Sequence, residues 1–254
     1  MSNQPKIALI TGGSRGLGRN TAVSLARRGV DIVLTYHTNR TEALSAMEEI
    51  AGLGRKVAAL QLDTGAVASF GDFAGALSNA LFENWRREQF DFLVNNAGIG
   101  SMAPFAEVTE ADFDALVNVH LKGVFFLTQK LLPMIADGGR IVNVSTGLTR
   151  FIVPGLSAYA SIKGAVEVLT RYLAKELGPR RITVNTVAPG SIATDFGGGG
   201  MKNNPDAEAF MASVTALGRH GVPDDIGPMI AALLSDDNRW VNAQRIEASG
   251  GAFL

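Results

Sequence analysis

The chain reads as an α/β protein built on one doubly wound parallel sheet with helices on both faces. Two observations predict this. Strand-like and helix-like segments alternate from end to end, with no linker, repeat or low-complexity stretch between them, so residues 1–254 are expected to form one domain. The first strand, Lys6 to Thr11, breaks into Gly12-Gly13-Ser14-Arg15-Gly16-Leu17-Gly18, and Thr21 to Arg28 then has helical periodicity until Gly29 stops it. Strand, glycine turn and helix in that order suit a pyrophosphate. The turn must be tight, the backbone must approach the ligand, and the helix start offers free N–H groups and a positive dipole end.

The remaining elements follow the same rhythm. Asp31 to Tyr36 is the second strand and about Thr41 to Leu53 the next helix, ended by Gly52 and Gly54. Lys56 to Leu62 is a third strand, delivering Asp63 to the carboxyl edge of the sheet where an adenine would lie. Val67 to about Arg87 is helical, with Phe70, Phe73, Ala74, Leu77 and Leu81 on its apolar face. Phe90 to Val94 is the fourth strand, ended by Asn95-Asn96-Ala97-Gly98. One long helix is expected from about Glu110 to Ile135; it carries Asn118 on an apolar background, as a hydrogen-bond hub or as part of a proton path. Arg140 to Val144 is strand five and presents Ser145; strand six, Arg181 to Val187, leads to Pro189-Gly190. Ser191 to about Leu217, with four successive glycines from Gly197 to Gly200, reads as a flexible lid. Pro223 to Leu234 is a last helix and Arg245 to Ala248 a last strand.

Composition narrows the function. Hydrophobic residues make up 46% of 254 and the net charge is −1 with both signs scattered, which favours a buried core and gives no electrostatic case for nucleic acid or an anionic membrane. The apolar runs are too brief to span a bilayer, and the first strand starts too close to Met1 for a signal peptide, so a cytoplasmic location is expected. Without cysteine there is no disulfide, thiolate metal site or thiol nucleophile. His37, His120 and His220 are too dispersed to suggest a metal site.

Chemistry concentrates in Ser157-Ala158-Tyr159-Ala160-Ser161-Ile162-Lys163. Four residues apart on a helix, the Tyr159 phenol and the Lys163 ammonium share a face, and an adjacent cation is expected to lower the phenol pKa. At the end of strand two, where a carboxylate would select NAD by binding the ribose 2′-hydroxyl, the chain has Tyr36, followed by His37, Thr38, Asn39 and Arg40, with Arg15 in the adjoining turn. That pattern favours NADP(H) over NAD(H).

Together, Thr11 to Gly18, Asp63, Asn95 to Gly98, Asn118, Ser145, Tyr159 with Lys163, and Pro189-Gly190-Ser191-Ile192-Ala193-Thr194 resemble a classical short-chain dehydrogenase/reductase over essentially the full length. The resemblance implies a seven-stranded Rossmann-type sheet in the order 3-2-1-4-5-6-7, usually in a homotetramer, and hydride transfer between NAD(P)H and a small-molecule carbonyl or alcohol. It implies Tyr159 as general acid/base, Ser145 on the substrate oxygen, Lys163 on the nicotinamide ribose and lowering the Tyr159 pKa, and Asn118 anchoring a relay water. The cofactor would meet Gly12, Ser14, Arg15, Gly16, Leu17, Gly18, Tyr36, His37, Thr38, Asp63, Asn95, Ala97, Gly98, Tyr159, Lys163, Pro189, Gly190, Ile192 and Thr194. Arg150 and Phe151 read equally as pocket walls or as surface and core. The substrate stays unassigned, and a catalytically silent nucleotide sensor or scaffold on the same fold is the alternative.

Overall fold

A computed structural model of the chain describes residues 4–199 and 204–254. Gly200 to Asn203, part of the expected lid, lie outside them. The seven strands form one parallel sheet in the order β3-β2-β1-β4-β5-β6-β7. They are β1 (Ile7–Ile10), β2 (Asp31–Tyr36), β3 (Val57–Gln61), β4 (Phe90–Asn95), β5 (Ile135–Val144), β6 (Thr183–Pro189) and β7 (Arg245–Ala248). The central strands are apolar on both sides because both faces are covered. In β1, Ile7 and Leu9 join the apolar layer that α3 (Phe70–Trp85) and α5 (Gly123–Leu131) cover, while Ala8 and Ile10 join the layer under α1 (Gly16–Arg27), α2 (Arg40–Gly52) and α8 (Pro223–Leu233). α8 lies so close to α1 that a Cβ on Gly227 would stand 2.8 Å from the Asn20 backbone.

Two elements differ from the sequence reading. The long helix is two, α4 (Glu110–Val117) and α5, joined by a π-turn over Asn118–Lys122. The wide turn sets Gly123 against the chain at Thr64, where a Cβ would be 2.4 Å from the Thr64 carbonyl oxygen. The helix also ends before Ile135, which is already in β5 and pairs with Phe90. The strand is longer than expected because Asp137-Gly138-Gly139 forms a bulge rather than a turn, and pairing resumes at Arg140 opposite Phe92. Beyond β6, the described part of the lid runs through Gly197 and Gly198, both at positive φ, to α7 (Pro205–Ser213).

Candidate active site

The glycine turn, the end of β4, the end of β5 and the chain leaving β6 meet at the carboxyl edge of the sheet, where open α/β sheets bind ligands. The turn is braced from both sides. Gly12 N–H donates to Thr35 Oγ1 at 3.2 Å and Gly13 N–H to Thr35 O at 2.8 Å; the Asn96 amide donates to Thr11 O (2.9 Å) and Gly12 O (3.2 Å). Thr11 Oγ1 in turn accepts from the N–H groups of Asn96 and Ala97, each at 3.0 Å. These bonds leave no room for side chains: a Cβ on Gly18 would sit 2.2 Å from Gly12 O, and one on Gly13 2.7 Å from Leu34 Cβ. α1 begins at Gly16 with no side-chain cap and no acidic residue in its first turn, so its free N–H groups and dipole end face the turn uncompensated. Thr194 lies across from Gly16, 3.9 Å from where its Cβ would stand, and Ile192 packs near Leu17 in one apolar layer. Gly190 touches the chain at Ser249, where a Cβ would be 2.8 Å away, and its N–H donates to Ala248 O at 3.0 Å. The arrangement fits the two phosphates of a dinucleotide.

At the end of β2, Tyr36 is half-buried while His37, Thr38 and Arg40 are exposed. Among the described residues Arg15 and Arg40 have no ion pair or side-chain hydrogen bond, which leaves both guanidiniums available to an anion. His37 stands 3.7 Å from Asp63, whose other oxygen accepts from Gly65 N–H at 2.8 Å. Asn95 does not meet the glycine turn with its side chain. Its amide is buried and donates to Thr128 (3.1 Å) and Asn143 (2.8 Å), which serves the interior.

The side chains singled out by the sequence lie on α6 (Ser157–Glu176) and at the end of β5. Tyr159, Lys163 and Ser145 are all buried. Lys163 Nζ donates to Val144 O at 2.7 Å, which ties α6 to the residue before Ser145, and stands 5.8 Å from the centre of the Tyr159 ring. Burial pushes Lys163 down to about 7. Burial also drives the Tyr159 phenol well above its ordinary value, so the expected lowering by Lys163 is not met; the ammonium binds a backbone carbonyl and desolvation dominates.

Asn118 lies in the π-turn and its side-chain oxygen accepts from Lys122 Nζ at 3.0 Å, at the surface. The residue of that turn which reaches Tyr159 is His120. Its ring meets the Tyr159 ring edge-on with centroids 5.2 Å apart, and Nε2 donates to Ile99 O at 2.8 Å. Its Nδ1 is buried with no partner among the described residues. Burial, reinforced by the charge of Lys163 and opposed by the Ile99 bond, lowers its pKa to about 3, so the ring is neutral. Gly98 makes room for it, since a Cβ there would be 2.7 Å from His120 Cε1. Phe196 from the lid covers the same place, 6.0 Å from the Tyr159 ring centre.

The sequence reading missed two further residues. Ser145 Oγ donates to Glu167 Oε1 at 2.8 Å, and Arg245 Nε reaches the same oxygen at 2.9 Å. Arg150 pairs with both oxygens of Glu247 and donates to Ala252 O and Phe253 O, while Phe151 is buried on Phe253, so both are structural.

Comparison with known proteins settles the lineage. Residues 12–252 match the family model described as enoyl-(acyl carrier protein) reductase, one of those for short-chain dehydrogenases/reductases. The chain belongs to the short-chain dehydrogenase/reductase family. Among related members of the family, an uncharacterized oxidoreductase of Methylorubrum extorquens is 36% identical over 97% of both chains. The tetrahydroxynaphthalene reductase PfmaG of Pestalotiopsis fici is 35% identical over 97% of this chain and 91% of its own. Of the solved structures, the angucycline C-6 ketoreductase LanV with bound NADP superposes with a TM-score of 0.93 at 36% identity, covering 98% of this chain and 95% of that one. A short-chain dehydrogenase from Burkholderia cenocepacia in complex with NADP gives 0.90 at 34% identity over 99% of both.

Proposed function

We propose that this protein is an NADPH-dependent ketoreductase that converts a ketone to a secondary alcohol, with Tyr159 as its proton donor. The observation that carries the reading is the burial of Tyr159 and Lys163 one turn apart on α6, with Lys163 5.8 Å from the Tyr159 ring centre and bonded to Val144 O at the end of β5. When bound, the reduced dinucleotide supplies a hydride to the carbonyl carbon. Negative charge then grows on the substrate oxygen, and hydroxyl groups placed beside it stabilise that charge. The raised pKa of Tyr159 suits this direction, because the phenol keeps its proton until an alkoxide takes it. Gly12 to Gly18 and the start of α1 would hold the pyrophosphate, Arg15 and Arg40 a 2′-phosphate, and Pro189 to Thr194 the nicotinamide end. Neutral His120 stands beside the phenol, and we assign the proton path to it in preference to Asn118, whose side chain is engaged by Lys122.

For substrate we propose a flat, fused-ring ketone. Phe196, 6.0 Å from the Tyr159 ring centre, is a half-exposed apolar side chain, and relatives are named a tetrahydroxynaphthalene reductase and an angucycline C-6 ketoreductase. The exposed Phe125, Phe126, Val168 and Tyr172 on α5 and α6 support a homo-oligomer. The test is a panel of tetralones, naphthoquinones and 3-oxoacyl thioesters, followed by NADPH consumption for the wild type and Tyr159→Phe. The variant should bind NADPH with unchanged affinity and lose 10²–10⁴-fold in turnover, the range of positioned acid catalysis. Retention of more than about a tenth of the rate removes Tyr159 from the role. NADPH binding with no turnover across the panel favours the silent nucleotide sensor.

A further inference from the structure

Tyr159 can give its proton only to a ketone that reaches it, yet the residue is just 9% exposed. Most of its cover is fixed. Leu116 and Ile162 are buried on α4 and α6, with Val117, Leu121, Leu148 and Ala158 packed around them. His120 is buried as well and is tied to Ile99 O at 2.8 Å. Phe196 differs from all of these. It stands 6.0 Å from the Tyr159 ring centre, within the range of an aromatic contact, but is itself 48% exposed and lies on the connection between β6 and α7. Gly197 and Gly198, which follow it, have positive φ, and a Cβ on either would meet nothing within 4 Å, so the backbone there is open on that side. The seat beneath the ring is made of backbone. A Cβ on Gly98 would be 2.7 Å from His120 Cε1 and 3.6 Å from Phe196 Cε2; one on Gly100 would be 2.8 Å from Gly197 Cα and 3.3 Å from Phe196 Cε1. Two glycines flanked by the Tyr159 and His120 rings thus hold one flat ring, and that ring is the protein's own.

We propose that Phe196 is a removable plug, filling the seat beside Tyr159 that an aromatic ring of the substrate takes over, and that it thereby sets how well flat ketones bind. The inference rests on the fused-ring ketone reading above. A carbonyl can meet the phenol only if the ring joined to that carbonyl lies close to Tyr159, which is where Phe196 stands. Exchanging one ring for the other keeps an aromatic partner for Tyr159 but sacrifices the contacts of Phe196. An aromatic pair shifts an equilibrium by about two- to tenfold, so the plug weakens binding by that factor. A side chain that instead stayed as a wall and stacked on the ligand would act with the opposite sign.

The experiment is calorimetric titration of 1-tetralone onto the full chain saturated with NADP+, which has no hydride to give, so binding is read without turnover. Phe196→Ala should bind 1-tetralone about two- to tenfold more tightly than the wild type, with a Kd for NADP+ within about twofold of it, because no resident ring has to be displaced. Phe196→Trp makes the displacement visible. Its emission, taken as the difference from the wild type with Trp85 and Trp240, should move to the red on adding 1-tetralone, as the indole passes into water. Unchanged or weaker binding in Phe196→Ala, or a blue shift in Phe196→Trp, means that the ring stays and stacks on the ligand; either result overturns the proposal and leaves the fused-ring reading standing. If 1-tetralone binds neither the wild type nor Phe196→Ala, the fused-ring reading fails and the proposal with it.

Discussion

Burial of Lys163 gives a measurable pH signature. The ammonium falls from 10.5 to about 7 because folding strips its water, a shift equivalent to roughly 5 kcal/mol of destabilisation where the group is charged in both states. Below pH 7 both folded and unfolded chains hold the proton and the folded state bears the whole cost. Between pH 7 and about 10.5 the unfolded chain keeps a proton that the folded chain has lost, so this group's contribution makes stability rise with pH. Lys163→Met removes this cost. It also strips Val144 O of its 2.7 Å partner, a loss of about 1–3 kcal/mol that does not depend on pH. The informative quantity is therefore the slope of the difference between the two proteins. From pH 6 to pH 9 the wild type should gain roughly 3 kcal/mol on the variant, or about 6 °C in Tm for 254 residues. Thermal unfolding of the cofactor-free proteins at fixed concentration reads this directly. Parallel Tm curves for wild type and Lys163→Met across that range would refute a desolvated ammonium at this site.

Two further predictions concern the cofactor. Gly18→Ala should abolish NADPH binding in a fluorescence titration, because the new Cβ would lie 2.2 Å from Gly12 O and the turn must open; retained affinity would show that the turn does not hold the pyrophosphate. Arg15→Ala should lower the kcat/KM preference for NADPH over NADH by roughly ten- to a hundredfold, the worth of a charge-assisted contact of about 1.5–3 kcal/mol, and Tyr36→Asp should invert it; an unchanged ratio in Arg15→Ala would place the 2′-phosphate elsewhere.

Strand order and the glycine turn were legible because both depend on local pattern: alternation of strand and helix, and glycines where a Cβ collides. The pair on α6 was legible from its spacing. What the sequence hid depends on where side chains go after folding. Asn118 and His120 are two residues apart in a segment that reads as plain helix; the structure sets His120 against the Tyr159 ring and bonds Asn118 to Lys122. Asn95 and Asn96 are adjacent amides, of which one serves the interior and the other the glycine turn. Asp137-Gly138-Gly139 looks like a turn, and only its partners in β4 make it a bulge. The phenol pKa went against expectation because proximity in sequence says nothing about desolvation. Glu167 was within reach of the sequence, one turn beyond Lys163 on the same stripe, but its partners Arg245 and Thr149 are remote in the chain.

The π-turn between α4 and α5 works as a phase shift in a single helical rod. It inserts one residue per turn beyond the α-helical count, which rotates everything downstream by about 100°. α4 consequently meets α6, whereas α5 turns toward α3, although the two are almost collinear in sequence. Deleting a single residue within Asn118–Lys122 would restore an unbroken α-helix and swing one half of the rod out of phase with its neighbours. The register of Tyr159's companions is thus encoded in the length of this segment as well as in its residue types, and one-residue deletions here should be far more damaging than substitutions at the exposed positions of α4.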